Sequence, residues 1–171
     1  LLALPGSAYI YQGEELGLPE VTDIPDDARR DPTFRRTQGR VPGRDGCRVP
    51  IPWAPDGPGF GFSGLSGRTN GGAPVAAPWL PQPADWGRYS AESELADERS
   101  FLNLYRAALR LRREHPALGA GAIRWLDDPE PPEAEGPGLI CFAREPGFIF
   151  AANFGTAAAR FLYVSGIRIN R

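Results

Sequence analysis

The chain has 171 residues, enough for one domain or for the end of one domain and the start of another. Its 19 basic residues are all arginines and are outnumbered by 21 acidic ones, so there is no net basic field of the kind that nucleic-acid binding requires. No stretch approaches the ~20 consecutive apolar residues of a membrane helix, and we expect neither a nucleic-acid nor a membrane partner.

The start of the chain and its cysteines bear on its origin. It begins with leucine and contains no methionine, so we expect an upstream part that this sequence lacks. The two cysteines, Cys47 and Cys141, are too few for a disulfide framework. We interpret them as thiols of a reducing cytoplasm outside any disulfide, and export stays an alternative because we expect the true N-terminus to lie upstream.

The first predicted element is a strand over residues 7–12. Pro5-Gly6 would turn the chain into this strand, and a β-branched and aromatic run then meets a glycine and two carboxylates, Glu14 and Glu15. This pattern is typical of a buried strand that ends at a polar site.

A proline- and glycine-rich region follows from residue 18 to residue 95, which predicts a long loop with short helical turns near Asp26–Arg30. Within it, residues 43–53 place two arginines, an aspartate and a tryptophan between prolines and glycines. Prolines lack N–H donors and glycines add backbone freedom, so this segment cannot be a helix or a central strand. Its charged side chains must sit on a loop that the rest of the fold holds in place.

The pattern changes between Ala96 and Glu114, where apolar residues recur at helical spacing with acids first and bases last, until Pro116 stops the repeat. This predicts a helix over residues 97–115. After Gly119 the sequence predicts an antiparallel β-module. Its strands are Ala122–Leu126, Gly138–Arg144, Phe148–Asn153 and Phe161–Val164, with Glu145-Pro146-Gly147 as a hairpin turn.

Two segments together suggest a family. Tyr11-Gln12-Gly13-Glu14-Glu15 is followed by Arg44-Asp45-x-x-Arg48-x-Pro-x-x-Trp53. In order and spacing they resemble the α-glucosidase branch of the α-amylase superfamily, glycoside hydrolase family 13, and its oligo-1,6-glucosidase-like members. The resemblance runs from residue 1 to roughly residue 155. Further likeness lies in Pro78-Trp79-Leu80-Pro81 with Trp86, in Leu104-Tyr105-Arg106 with Leu111-Arg112-Arg113, and in Pro116-Ala117-Leu118.

The resemblance implies an α/β fold that contains the last strand and helix of a (β/α)8 barrel. Residues 7–12 would be the eighth strand, 18–95 a long loop excursion and 97–115 the eighth helix. Residues 119–171 would start a C-terminal antiparallel β-domain that is incomplete here, and residues 1–118 would be the end of the catalytic barrel. Active sites of such barrels lie at the carboxyl ends of the strands.

The resemblance also implies where the catalytic groups are. Retaining glycosidases use two carboxylates about 5–5.5 Å apart. In the family the nucleophile, the general acid and a third aspartate all come from earlier strands, so none is expected in this chain, and we expect the chain alone to be inactive. Glu14 and Glu15 cannot replace them, because neighbouring residues on a strand point to opposite faces.

One substrate-binding residue is implied. In the family the first arginine of the loop reaches the subsite of the non-reducing glucose, and Arg44 matches it. A planar guanidinium suits vicinal sugar hydroxyls. The alternative is a surface arginine that holds the loop to Asp45. We expect Arg48 to anchor the loop through backbone carbonyls, and Glu15 and Asp45 to support the rim of the site.

The other candidate residues favour structural roles. Three tryptophans could be sugar platforms, but we expect them to pack in the core of the loop region. Cys47 has no histidine near it in sequence to activate it as a nucleophile, and His115 has no partner cluster and is expected to be a charge at a helix end. We expect no cofactor and no metal site. The tryptophans are Trp53, Trp79 and Trp86, and the aspartates that lack the spacing of a calcium loop are Asp23, Asp26 and Asp27.

Three functions are consistent with these observations. The first is a retaining exo-α-glucosidase that hydrolyses terminal α-linked glucose from short oligosaccharides. The second is a trehalose synthase or another transglucosidase of the same superfamily. The third belongs to another class, a non-catalytic carbohydrate-binding or structural module.

Overall fold

A computed structural model describes residues 1–63, 77–126, 138–156 and 158. The chain divides into two compact units. Residues 9–106 form the first, and residues 1–8 with 107–171 form the second, termed the terminal unit below. Within the described ranges, no helix has the length and apolar character needed to cross a membrane.

The 9–106 unit is built mainly from loops that short helical elements interrupt. Helix α1 spans Pro32–Arg36 and α2 spans Ala91–Ala96. Helix α3, Phe101–Glu114, begins in this unit and ends in the terminal unit. For residues 18–63 and 77–95, which the structure describes, the predicted loop character is confirmed in outline, although a helix, α1, follows the helical turn expected near Asp26–Arg30. The described residues of the unit also contain four 3₁₀ turns: Glu14–Leu16, Asp45–Cys47, Pro58–Gly61 and Trp86–Tyr89.

A small apolar core holds these loops together. Its buried members come from well-separated parts of the sequence, so burial of their side chains closes the loop region on itself. Leu18, Phe60 and Tyr89 pack against the core from its edge. The buried members are Val21, Ile24, Val49 and Trp86.

The strand predicted over residues 7–12 is not formed in this chain. Residues 7–11 have no regular secondary structure, and Tyr9 is 83% exposed. A β-strand is defined by hydrogen bonds to a neighbouring strand, and no described segment pairs with these residues. The side chains of residues 7–12 are of the kind that strands favour, but a strand also needs a neighbouring strand to pair with.

Helix α3 begins later than predicted, at Phe101 instead of residue 97. The Ser100 hydroxyl oxygen accepts a hydrogen bond from the Asn103 N–H at 3.1 Å, which makes Ser100 the N-cap. The buried Glu94 carboxylate accepts from the Leu102 N–H at 2.8 Å. Asp97, expected in the first turn, instead accepts from the Arg99 N–H in the connecting turn.

The terminal unit contains helix α4, Pro116–Gly119, and a three-stranded antiparallel sheet in the order β1-β2-β3. Phe142 of β2 pairs with Trp125 on one side and Phe150 on the other. The predicted hairpin at Glu145-Pro146-Gly147 is confirmed, because Arg144 pairs with Phe148 across it. The predicted strand Phe161–Val164 lies outside the described residues. The strands are β1, Ile123–Trp125, β2, Leu139–Arg144, and β3, Phe148–Asn153.

A second core and one buried arginine hold the terminal unit together. Ala3, Leu118 and Phe142 are buried together, so the start of the chain packs against α4 and the sheet. Arg144 is 0% exposed, and its guanidinium donates to the backbone carbonyls of Ala3 at 2.7 Å and Gly121 at 2.8 Å. These bonds satisfy buried carbonyls that would otherwise lack donors.

Candidate functional site

A pocket of about 350 Å³ opens on the 9–106 unit. It brings together the two segments that the sequence analysis singled out, because residues of the Tyr11–Glu14 segment and of the Arg44–Val49 segment share its walls. The buried Trp86 forms part of the wall. The lining residues are Tyr11, Gln12, Gly13, Glu14, Leu18, Pro19, Glu20, Arg44, Gly46, Cys47, Val49 and Trp86.

The Tyr11–Leu18 side of the pocket is a tight turn. Gly13 has a φ of 91°, and its carbonyl oxygen accepts from the Leu18 N–H at 3.0 Å. The Glu15 carboxylate accepts from the Gly13 N–H at 2.9 Å, while Glu14 lines the pocket. The strand argument about Glu14 and Glu15 was wrong, because both lie in a 3₁₀ turn. Glu15 holds this turn through the Gly13 N–H, and its support of the site rim stays a prediction.

The arginine loop is held by two buried carboxylates. Asp45 is 3% exposed, and its Oδ2 accepts from the backbone N–H groups of Arg30 at 2.8 Å and Asp31 at 2.9 Å. Asp31 is also buried, and its Oδ2 accepts from the Arg44 N–H at 3.0 Å. The two aspartates therefore tie two chain segments to each other.

Asp31 was missed by the sequence analysis. Its Oδ1 accepts from the Thr33 N–H at 2.8 Å, so it is also the N-cap of α1. Hydrogen bonds from the N–H groups of Thr33 and Arg44 lower the pKa of this carboxyl to about 2. Asp31-Pro32 carries a recognisable signal, since aspartate before proline marks the start of a helix.

Arg48 pairs with these carboxylates, and the prediction that it anchors the loop through backbone carbonyls was wrong. Its Nη1 lies 2.9 Å from Asp31 Oδ2 and 3.9 Å from Asp45 Oδ1. Two buried carboxylates create a local negative charge, and an arginine beside them neutralises it.

Arg44 occupies a different environment. Its side chain is exposed, and its guanidinium lies 5.3 Å from the centre of the Tyr11 ring. Within the described parts of the chain it forms no ion pair with a carboxylate, so the alternative in which it holds the loop to Asp45 is not what the structure shows. One arginine of the loop neutralises its acids, and the other lies at the pocket.

The three tryptophans considered as sugar platforms differ in burial. Trp86 is 2% exposed, which confirms the predicted core position. Trp53 is 44% exposed and Trp79 is 67% exposed, so the same prediction was wrong for both. Trp79 packs against the Arg30 guanidinium at 4.9 Å, a contact that leaves most of the ring in solvent.

The remaining candidates have local partners. Cys47 is half-buried at the pocket, and its thiol donates to the Arg44 carbonyl at 3.2 Å. His115 Nδ1 accepts from the Ala117 N–H at 3.2 Å, so this side chain caps the start of α4, a role that the sequence analysis did not predict. Among the residues that the structure describes, no group of three or more histidine, cysteine, aspartate or glutamate side chains could hold a metal ion.

Comparison with known families identifies the lineage. The family model named Alpha-amylase, for the alpha amylase catalytic domain, matches residues 1–121. The chain belongs to this family. Its fold is accordingly the last part of a (β/α)8 barrel followed by part of an antiparallel β-region, as the resemblance implied.

Relatives of this chain include a probable alpha-glucosidase and a trehalose synthase/amylase. A probable alpha-glucosidase of Rhizobium meliloti is 35% identical over 129 residues, which cover 74% of this chain and 21% of the relative. A trehalose synthase/amylase of Mycobacterium tuberculosis is 31% identical over 138 residues, which cover 77% of this chain and 18% of the relative. The chain thus spans about a fifth of the length of these relatives.

Solved structures give the same result for the fold. The alpha-glucosyl transfer enzyme XgtA superposes with a TM-score of 0.70 at 34% identity, covering 90% of this chain and 26% of that one. The trehalose-6-phosphate hydrolase of Bacillus licheniformis has a TM-score of 0.68 at 23% identity, covering 99% of this chain and 31% of that one.

Proposed function

We propose that this alpha-amylase family chain is the C-terminal part of a retaining exo-α-glucosidase that hydrolyses terminal α-linked glucose from short oligosaccharides. The observation that carries the proposal is the pocket in which the Tyr11–Glu14 segment meets an exposed Arg44 guanidinium. Alpha-glucosidases among the relatives support it. We also propose a cytoplasmic location, because two cysteines are too few for a disulfide framework.

Arg44 is suited to hold a sugar. A guanidinium carries several N–H donors in one plane, and neighbouring hydroxyls of a glucose ring can accept from them together. Since Arg48 already neutralises Asp31 and Asp45, the charge of Arg44 is available for a substrate or for a carboxylate elsewhere in the full polypeptide. Glu15 supports the opposite wall through the Gly13 N–H.

We assign the catalytic acid and nucleophile to polypeptide beyond this chain. Exposed apolar side chains support that assignment, because Tyr9 is 83% exposed and Leu104 of α3 is 60% exposed. Apolar area of this size is usually covered in a complete domain. The chain alone should therefore show negligible glucosidase turnover.

A glucosyl-transferring enzyme is the second candidate. It is favoured by the trehalose synthase/amylase and the alpha-glucosyl transfer enzyme among the similar proteins. In both reactions a glycosyl-enzyme intermediate forms, and the acceptor decides the outcome. Water yields glucose, and a second sugar yields a new glucoside.

The test uses the full-length polypeptide that contains this chain, assayed with p-nitrophenyl α-glucoside and with maltose. We expect nitrophenol release, and glucose as the only product from maltose. Trehalose or a longer glucoside would favour the transferring enzyme instead. Binding of maltose without any cleavage would favour a non-catalytic module.

The role of Arg44 is tested in the same protein with Arg44→Ala and a matched control. Loss of charge-assisted hydrogen bonds to the sugar should lower kcat/KM roughly 10- to 100-fold. Arg40→Ala is the control, because Arg40 is an exposed arginine outside the pocket lining. If Arg44→Ala and Arg40→Ala have the same small effect, Arg44 does not bind substrate.

A further inference from the structure

The backbone of Arg44 rests on a single carboxylate from another part of the chain. Asp31 precedes Arg44 by 13 residues, and its Oδ2 accepts from the Arg44 N–H at 3.0 Å. The same oxygen binds Arg48 Nη1 at 2.9 Å, and Oδ1 binds the Thr33 N–H at 2.8 Å. Both oxygens are thus occupied, and the carboxylate cannot rotate without losing one of these bonds.

A close contact between Gly43 and Asp31 also fixes the backbone just before Arg44. A Cβ on Gly43 would lie 2.6 Å from Asp31 Cβ, and Gly43 has a φ of 75°. Only glycine fits this close approach with this backbone conformation. The chain therefore enters Arg44 in contact with Asp31.

Asp31 is itself held in place by the loop that it supports. The Asp45 carboxylate accepts from the Asp31 N–H at 2.9 Å, and Asp45 follows Arg44 directly in the sequence. The arrangement is reciprocal, since each aspartate binds the backbone on the other side. Such a closed set of bonds restricts both segments more than either bond alone.

The two arginines of the loop have different partners. Arg48 lies within 4 Å of both carboxylates, at 2.9 and 3.9 Å, whereas the Arg44 guanidinium lies over the Tyr11 ring. If Asp31 lost its charge, Arg48 would lose its nearest anion. An amide at position 31 would also keep only one acceptor oxygen, where the carboxylate uses one for the Arg44 N–H and the other for the Thr33 N–H.

We propose that Asp31 is a positioning residue, which fixes the Arg44 backbone and retains Arg48, so that the Arg44 guanidinium stays at the pocket to bind the terminal sugar. This inference rests on the proposed function of Arg44. Asp31 does not line the pocket and acts only through Arg44.

The experiment is a double-mutant cycle in the full-length protein with p-nitrophenyl α-glucoside. Asp31→Asn keeps the shape of the side chain but removes its charge. Displacement of a substrate-holding group by about 1 Å can cost roughly 100-fold, so we expect kcat/KM to fall ~10- to 100-fold, mainly through KM. In the Arg44→Ala background, Asp31→Asn should lower kcat/KM less than about 2-fold further.

Two further variants complete the set. Asp31→Glu keeps the charge but shifts the carboxylate, and its KM should lie between those of the wild type and Asp31→Asn. Asp23→Asn is the control, because Asp23 is exposed and outside the network, and its kinetics should match the wild type. Circular dichroism shows whether each variant is folded.

The outcomes separate the two ideas. Suppose that Arg44→Ala impairs the enzyme. The role of Arg44 then stands, but the inference about Asp31 fails in either of two cases: if Asp31→Asn leaves kcat/KM unchanged, or if it lowers kcat/KM by the same factor in the Arg44→Ala background as in the wild type. If Arg44→Ala has no effect, both fail. Unfolding of Asp31→Asn and Asp31→Glu beside a folded Asp23→Asn would assign Asp31 to folding instead and would also overturn the inference.

Discussion

Replacing Ser100 with alanine removes the cap that starts helix α3. The hydroxyl accepts from the Asn103 N–H at 3.1 Å and donates to the Glu94 carbonyl at 2.7 Å, and Ser100 is 8% exposed. Asp97 and Glu98, the acidic residues expected at the start of the helix, lie before it and are exposed.

The loss can be estimated bond by bond. An N-cap hydroxyl is worth about 1 kcal/mol. The second bond is worth about 0.5–1 kcal/mol, at the lower end of the usual range, because the Glu94 carbonyl keeps the Asn103 side-chain amide as a donor at 3.0 Å. The sum is about 1.5–2 kcal/mol, a change of roughly 10- to 30-fold in the local opening equilibrium.

Native-state hydrogen exchange of the amides in the first turn of α3 measures this opening directly. Ser100→Ala should accelerate exchange at Asn103 and Leu104 roughly 10- to 30-fold. Ser100→Thr retains a hydroxyl and should stay near the wild type, and Glu98→Gln should change exchange by less than about 2-fold. If Glu98→Gln accelerates exchange as much as Ser100→Ala, the capping argument is refuted.

Three other predictions concern burial, charge and close contact, each measured by unfolding of the variant against the wild type. Trp86→Ala should lower the free energy of unfolding by about 3–5 kcal/mol because the ring is buried. Trp79→Ala should lower it by less than about 1 kcal/mol because that ring is exposed, and equal losses would contradict the assigned burial. Backbone hydrogen bonds lower the pKa of Asp31 to about 2 from 3.8, so its stabilising effect is complete above pH 3.8 and is lost as the pH falls through 2. The difference in Tm between wild type and Asp31→Asn should shrink over that interval, and a constant difference would argue against the carboxylate as its source. Gly46→Ala should lower the free energy of unfolding by about 1–3 kcal/mol, because its Cβ would lie 2.3 Å from a backbone carbonyl oxygen. Gly119→Ala should lower it by less than about 0.5 kcal/mol, because a Cβ there would have no atom within 4 Å.

Some features were predictable because their causes lie close together in the sequence. The β2–β3 hairpin formed at the predicted turn, where a proline and a glycine separate two β-branched and aromatic runs. Helix α3 ended before Pro116 as expected, because proline cannot continue the preceding turn. The family motifs belong here too, since they consist of residue identities and spacings.

Other features could not be predicted, because they depend on groups that distant parts of the chain supply. A strand over residues 7–12 needs a hydrogen-bonding neighbour, and the described chain offers none. The burial of Trp86 and the exposure of Trp79 depend on which loops fold over each ring. The start of α3 depends on Glu94 of the preceding helix as well as on the Ser100 cap.

The family, the hairpin and the choice of Arg44 as the candidate sugar-binding residue follow from residue identities and spacings alone. That Asp31 holds the Arg44 backbone while Arg48 neutralises the carboxylates is visible only in the folded chain. These partners lie far apart in the sequence. Hydrogen bonds and ion pairs between residues 13 to 17 positions apart form only after the intervening loop has closed, and the closure depends on the core around Val21.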